Sequence, residues 1–111
     1  MTISADLLRG YTDTIIMRQL AAGDGYGYGI SRDVAEKSEG MVMMKEATLY
    51  TAFRRLEENG YIRSYWGDEA TGARRRYYSL TEPGRAKLEE DQEAWETTRR
   101  VMDTLLARTA G

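Results

Sequence analysis

The order of apolar and polar positions along the chain predicts four helices and one hairpin. From Asp6 to Ala22, Leu8, Tyr11, Ile15, Ile16 and Leu20 recur at helical spacing, so this stretch reads as a first helix with one face turned to a core. On its other side Leu7, Thr14 and Arg18 fall at i, i+7 and i+11, a mixed stripe that suits either open surface or the cover of a partner helix. Gly23-Asp24-Gly25 ends that helix, and Ile30 and Val34 mark a second one over 27–38, closed by Glu39-Gly40. Met41-Val42-Met43-Met44 is too short for a helix and is expected to be a small strand beside the hairpin, with its methionines as core filler.

The stretch Lys45 to Leu80 carries the most information. Leu49, Phe53 and Leu56 recur at i, i+4 and i+7, and Gly60 after Asn59 supplies the left-handed stop of a third helix. At 100° per residue the opposite face collects Ala47, Thr48, Tyr50, Thr51, Arg54 and Arg55, with Glu58 near its end. Small hydroxyl residues near a helix N-terminus allow close approach to base edges, and arginines one or two turns on reach guanines or phosphates. A solvated amphipathic face has the same composition, so the helix alone does not decide.

The following segment does more. Tyr61 to Trp66 and Arg76 to Leu80 are β-prone and flank a glycine-bearing tip from Gly67 to Arg75, a hairpin with a long loop. Arg74, Arg75 and Arg76 stand where the tip rejoins the returning strand, so at least two point outward toward phosphate or a minor groove. Helix, two strands and a basic loop is the winged-helix order.

Thr81 then caps a last helix, with Pro83 tolerated in its first turn. Helical pattern continues to Ala107, about 40 Å at 1.5 Å per residue, longer than a domain this small covers. Leu88, Trp95 and Met102 repeat every seven residues, and Val101, Leu105 and Leu106 thicken the apolar side toward the end. Such a helix implies a second chain, so a two-fold dimer through the first and last helices is expected. The fold class is thus mainly α with a small β wing: a winged helix-turn-helix over 1–80, whose first helix also serves the dimer, and a dimerisation helix over 81–108.

Composition narrows the chemistry. At 111 residues there is room for one modest core and no second domain. The absence of cysteine and histidine removes disulfides, thiolate chemistry, the commonest acid–base group and the soft metal ligands, so no catalytic residue, metal or cofactor is assigned. Glu89, Glu90, Asp91 and Glu93 read as a solvated run on the last helix. The glycines at 23, 25, 27 and 29 match no phosphate-loop spacing and read as a turn followed by close packing of the second helix. No apolar run is long enough to span a membrane and the N-terminus lacks a signal-peptide pattern, so a cytoplasmic protein without membrane contact is expected. The net charge of -2 argues against nucleic acid until it is mapped: Lys45–Lys87 holds nine Lys/Arg and six Asp/Glu, net +3, whereas Leu88–Gly111 holds three and six, net -3.

Tyr26-Gly27-Tyr28-Gly29-Ile30, Glu46-Ala47-Thr48-Leu49-Tyr50, Leu56-Glu57-Glu58-Asn59-Gly60-Tyr61-Ile62 and Gly72-Ala73-Arg74-Arg75-Arg76-Tyr77-Tyr78-Ser79-Leu80-Thr81 together resemble the PadR family of bacterial transcriptional repressors over nearly the whole chain. Ser64-Tyr65-Trp66-Gly67-Asp68-Glu69 and a tryptophan on the last helix are similar to its short group with a single C-terminal helix, which includes multidrug-binding regulators. The resemblance implies a homodimer on a double-stranded DNA operator. From the residues themselves, Thr48, Thr51 and Arg54 are assigned to the major groove, Tyr50 to phosphate, Arg74 and Arg75 to the wing contacts, and Arg55 is the less certain member of the set.

Multidrug-binding relatives are expected to use paired indoles at the dimer centre as a slot for planar aromatic effectors. Carried over residue by residue, the slot falls on Leu88, Gln92, Trp95 and Arg99, which share one face of the last helix, with Leu7, Thr14 and Arg18 as its rim. The plainer role for Trp95 is to fill a dimer core. Where the drug-binding relatives look neutral or acidic this chain has Arg18 and Arg99, which favours anionic or neutral aromatics over cationic ones. The alternative to a DNA-binding regulator is a winged helix that serves as a protein-interaction or small-molecule-binding module without DNA.

Overall fold

A computed structural model describes residues 2–67 and 74–109. In chain order the elements are α1 (Ala5–Leu8), α2 (Thr12–Ala22), β1 (Gly25–Tyr26), α3 (Gly27–Lys37), α4 (Glu46–Glu58), β2 (Ile62–Trp66), β3 (Arg76–Leu80) and α5 (Glu82–Leu105). The fold is a winged helix-turn-helix, mainly helical with a small antiparallel sheet in the order β1-β3-β2.

Two expectations are corrected. The first helix is not continuous from Asp6 to Ala22. Ser4 accepts from the Leu7 amide to cap a single turn, the Tyr11 amide bonds back to the Leu8 carbonyl, and α2 restarts at Thr12. Gly10 sits inside that break, where its low helix propensity favours interruption over propagation. The second correction concerns the third strand, which is Gly25–Tyr26, paired with β3 at Gly25↔Tyr78 and Tyr26↔Tyr77. Met41–Met44 has no strand, and only Val42 of the four is buried, with Met44 packed at the core's edge and Met43 exposed. The run is held through other atoms, the Ile3 amide on the Met41 carbonyl and Ser38 on the Val42 amide.

The core joins Ile16, Met17 and Leu20 of α2, Ile30 and Val34 of α3, Leu49, Ala52, Phe53 and Leu56 of α4, and Ile62, Tyr78 and Leu80 of the hairpin. Phe53 lies at its centre, stacked on the Tyr78 ring at 4.0 Å. Burial raises the Tyr78 hydroxyl above its usual pKa.

The start of α5 belongs to this core. Thr81 accepts from the Gly84 amide as N-cap and its own hydroxyl donates to the Gly60 carbonyl at 2.6 Å, while its amide donates to the Tyr61 carbonyl. Gly60 takes the left-handed φ of 77° that turns the chain out of α4 into β2. Gly84 and Leu88 are buried, every residue from Glu93 to Leu105 is exposed, and the molecule extends over 64 × 31 × 21 Å. Val101, Met102, Leu105 and Leu106 are exposed there, Leu105 at 71%. Among the described residues no helix is long and apolar enough to cross a membrane.

Candidate nucleic-acid interface and the cleft beside it

Helix α4 buries Leu49, Ala52, Phe53 and Leu56, and that stripe turns Ala47, Thr48, Tyr50, Thr51, Arg54 and Arg55 to the surface. Ala52 completes the stripe that the larger apolar residues announced. Glu46 in the first turn complements the positive end of the helix dipole. The exposed side chains are not equivalent. Tyr50 packs edge-on against Phe53 at 5.6 Å and lays its hydroxyl over Gly27, where a Cβ would come within 2.8 Å. The glycine at the start of α3 is therefore what lets α4 seat this tyrosine against α3.

Arg54 is exposed and takes part in no ion pair among the described residues. Arg55 is engaged: its Nε donates to Asp13 Oδ2 at 2.9 Å and its Nη2 to Asp13 Oδ1. The hydrogen bonds to Asp13 raise the Arg55 pKa, and the aspartate's charge adds to them against partial desolvation. Arg55, the less certain member of the DNA set, is thus paired within the chain while its side chain stays half exposed, whereas Arg54 has no such pair among the described residues.

The wing is built on rings. Arg74 lies over Trp66 at 5.5 Å and Arg76 over the same indole at 5.8 Å, while Arg75 lies over Tyr26 at 4.7 Å. Arg76 also donates to Ser64 at 2.7 Å and pairs with Glu57 of α4 at 3.8 Å, and Ser64 donates to Glu57 at 2.8 Å. These contacts tie the hairpin root to α4. Arg74, Arg75 and Arg76 are all exposed, and of the three Arg76 is the one paired with α4 through Glu57. Of the tip from Gly67 to Arg75, positions 68–73 lie outside the described residues. On the sheet's outer face Tyr26, Tyr77 and Tyr65 form a ladder, and Tyr65 donates to Asp24 at 2.6 Å, which raises the phenol pKa. Two features escaped the sequence reading: Trp66 as the platform under two arginines, and the exposed pair Tyr28 and Arg32 on α3, 6.0 Å apart.

The second candidate set divides. Trp95 is 43% exposed and meets Tyr11 edge-on at 5.2 Å. Thr14 donates to Asp91 at 3.1 Å and Arg18 reaches Gln92 at 3.5 Å, so α2 and α5 do meet along the expected stripes. Leu88 does not belong with them: at 3% exposure it is core, because the first turns of α5 pack into the winged domain before the helix departs. Leu7 is separated too, since the break at Arg9–Tyr11 takes it off the helix that carries Thr14 and Arg18. Arg99 is exposed on the free part of α5. Asp91, read as part of a solvated run, instead joins Thr14 and pairs with Lys87 at 3.1 Å. Tyr11, read as a core residue, is the ring against Trp95. A broad open groove between α2, α4 and α5 is lined by Tyr11, Asp13, Thr48, Thr51, Arg55 and Trp95 among others, so the two candidate sets border one surface.

The transcriptional regulator PadR-like family model matches residues 16–90 of this chain. The chain belongs to the PadR-like family. It is similar to a transcriptional regulator from Clostridium thermocellum at 45% identity and a TM-score of 0.85, covering 92% of this chain and 99% of that one. A PadR family transcription regulator from Clostridium difficile is 36% identical with a TM-score of 0.79, over 88% of this chain and 100% of its own. An uncharacterised protein of Lysinibacillus sphaericus is 36% identical over 104 residues, which is 94% of this chain and 95% of that protein. As a PadR-like transcriptional regulator the chain is not an enzyme. Regulators of the PadR family bind DNA and generally act as dimers.

Proposed function

We propose that this PadR-like chain is a repressor that binds a two-fold DNA operator as a homodimer, with one α4 and one wing per half-site. The observation that carries this reading is the exposed Thr48, Thr51 and Arg54 face of α4 beside Arg74 and Arg75, which the rings of Trp66 and Tyr26 hold at the wing root. In this arrangement residues 1–80 form the DNA-binding unit and the helix over 81–108 joins the two copies. Affinity for duplex carrying the region upstream of its own gene should fall steeply as salt rises, because released counterions drive such binding. A flat salt response would favour the other reading, a winged-helix interaction module without DNA.

The effector site in this account is the Trp95–Tyr11 cleft, doubled by the dimer axis and taking a planar aromatic ligand. Release follows when the ligand prefers a dimer geometry whose recognition helices no longer match the half-site spacing. Arg18 and Arg99, two from each copy, make the rim cationic and favour anionic or neutral aromatics. In a Trp66→Phe background, tryptophan fluorescence reports Trp95 alone, and an anionic planar dye should quench it at lower concentration than a cationic one. The opposite order would sink this part of the account.

A further inference from the structure

Arg55 is the one arginine on the exposed face of α4 that the chain itself engages. Two of its donors fork onto both oxygens of Asp13, at the first turn of α2, a charge-assisted geometry of the strong kind. A phosphate offered to Arg55 would find two of its five N–H donors already held, including the Nε edge of its fork, and would approach the negative charge of Asp13. Thr14, the next residue on α2, donates to Asp91 of α5. One turn of α2 therefore grips α4 through Asp13 and α5 through Thr14. Arg54, beside Arg55 in sequence, has no such restraint.

We propose that Asp13 is a positioning residue for DNA recognition: it withholds Arg55 from the DNA and uses it to fix α4 against α2. This inference rests on the DNA-binding reading above. Its consequence is that the recognition helix presents fewer sequence-neutral phosphate contacts than its arginine count suggests, so discrimination between operator and random DNA is higher than if Arg55 were loose.

The test is the salt dependence of binding to operator and random duplex by full-length wild type, Arg55→Gln, Asp13→Asn, Asp13→Glu and the Asp13→Asn, Arg55→Gln double variant, each checked for thermal unfolding. Asp13→Asn should steepen the log–log salt slope by about 0.9 for each half-site, the signature of one added phosphate contact, and lower the operator-to-random ratio. The double variant should return to the wild-type slope, Asp13→Glu should keep it, and Arg55→Gln alone should leave it unchanged even where affinity falls through a looser α4. A slope reduced by about 0.9 per half-site in Arg55→Gln would overturn the inference, since Arg55 would then touch phosphate in the wild type. So would an unchanged slope in Asp13→Asn. Wild type that binds no duplex at low salt would overturn both the inference and the DNA reading beneath it.

Discussion

Gly84→Ala should cost the fold about 3 kcal/mol, near the upper end for forcing an extra methyl into a packed site. The added Cβ would fall inside contact distance of the Tyr61 carbonyl oxygen, and at 2.7 Å from Leu80 Cδ1. The carbonyl is backbone, fixed by its bond from the Thr81 amide and by the turn at Gly60, so it has no rotamer by which to yield. Relief requires moving the start of α5 away from the α4–β2 turn, which uncovers Leu88 and strains the Thr81 cap. Since each kcal/mol is worth roughly 4–8 °C in a domain of about this size, the loss is readily measured by thermal unfolding followed by circular dichroism. Gly10→Ala is the control: a Cβ there meets nothing within 4 Å, and its effect should stay within about 0.5 kcal/mol. Equal melting points for the two variants would show that α5 is not seated on the wing as described.

Val101→Glu, Leu105→Glu should separate the two copies. Both side chains are exposed in the single chain, on a stretch of α5 with no contact to its own core, so the charges leave the monomer's fold intact. At a helix–helix interface the same carboxylates would be desolvated opposite their symmetry mates, a cost no rearrangement of surface side chains removes. Sedimentation should show dimer for the wild type and monomer for the variant at the same concentration, with unchanged helical content. Because a two-fold operator rewards simultaneous engagement, DNA affinity should fall by roughly 100-fold or more. A variant that remains dimeric would place the interface elsewhere.

Most of the architecture is legible from residue spacing. The i, i+4, i+7 stripe of α4, the Asn59-Gly60 stop, the hairpin strands and the Thr81 cap all stand where the pattern puts them, because each rests on a local rule that tertiary packing reinforces. The break at Gly10 and the strand at Gly25–Tyr26 were not legible for opposite reasons. The apolar period of the first helix runs straight through Gly10 and hides the interruption, while a two-residue strand has no period and exists only through its pairing with β3. The site divides along the same line. That Thr48, Thr51 and Arg54 share an exposed face follows from 100° per residue, but the bond between Arg55 and Asp13 joins residues far apart in sequence, and no local pattern announces it. Leu88 illustrates a third case. Its heptad spacing with Trp95 is real, yet only the first turns of α5 enter the core, so Leu88 is buried while Trp95 lies half exposed against Tyr11.

The central claim is that α4 and the wing bind DNA, and the most direct measurement compares wild type with Arg54→Ala, Arg75→Ala for binding to the upstream duplex across a salt series. Neither arginine is buried, so both proteins should unfold at similar temperatures. The account predicts nanomolar to micromolar binding by the wild type that weakens steeply with salt, and at least a tenfold loss in the variant with a shallower slope, as expected when one base-edge or phosphate contact is removed from each of two elements. Equal affinities and equal slopes for the two proteins, or no binding by either at low salt, would contradict it.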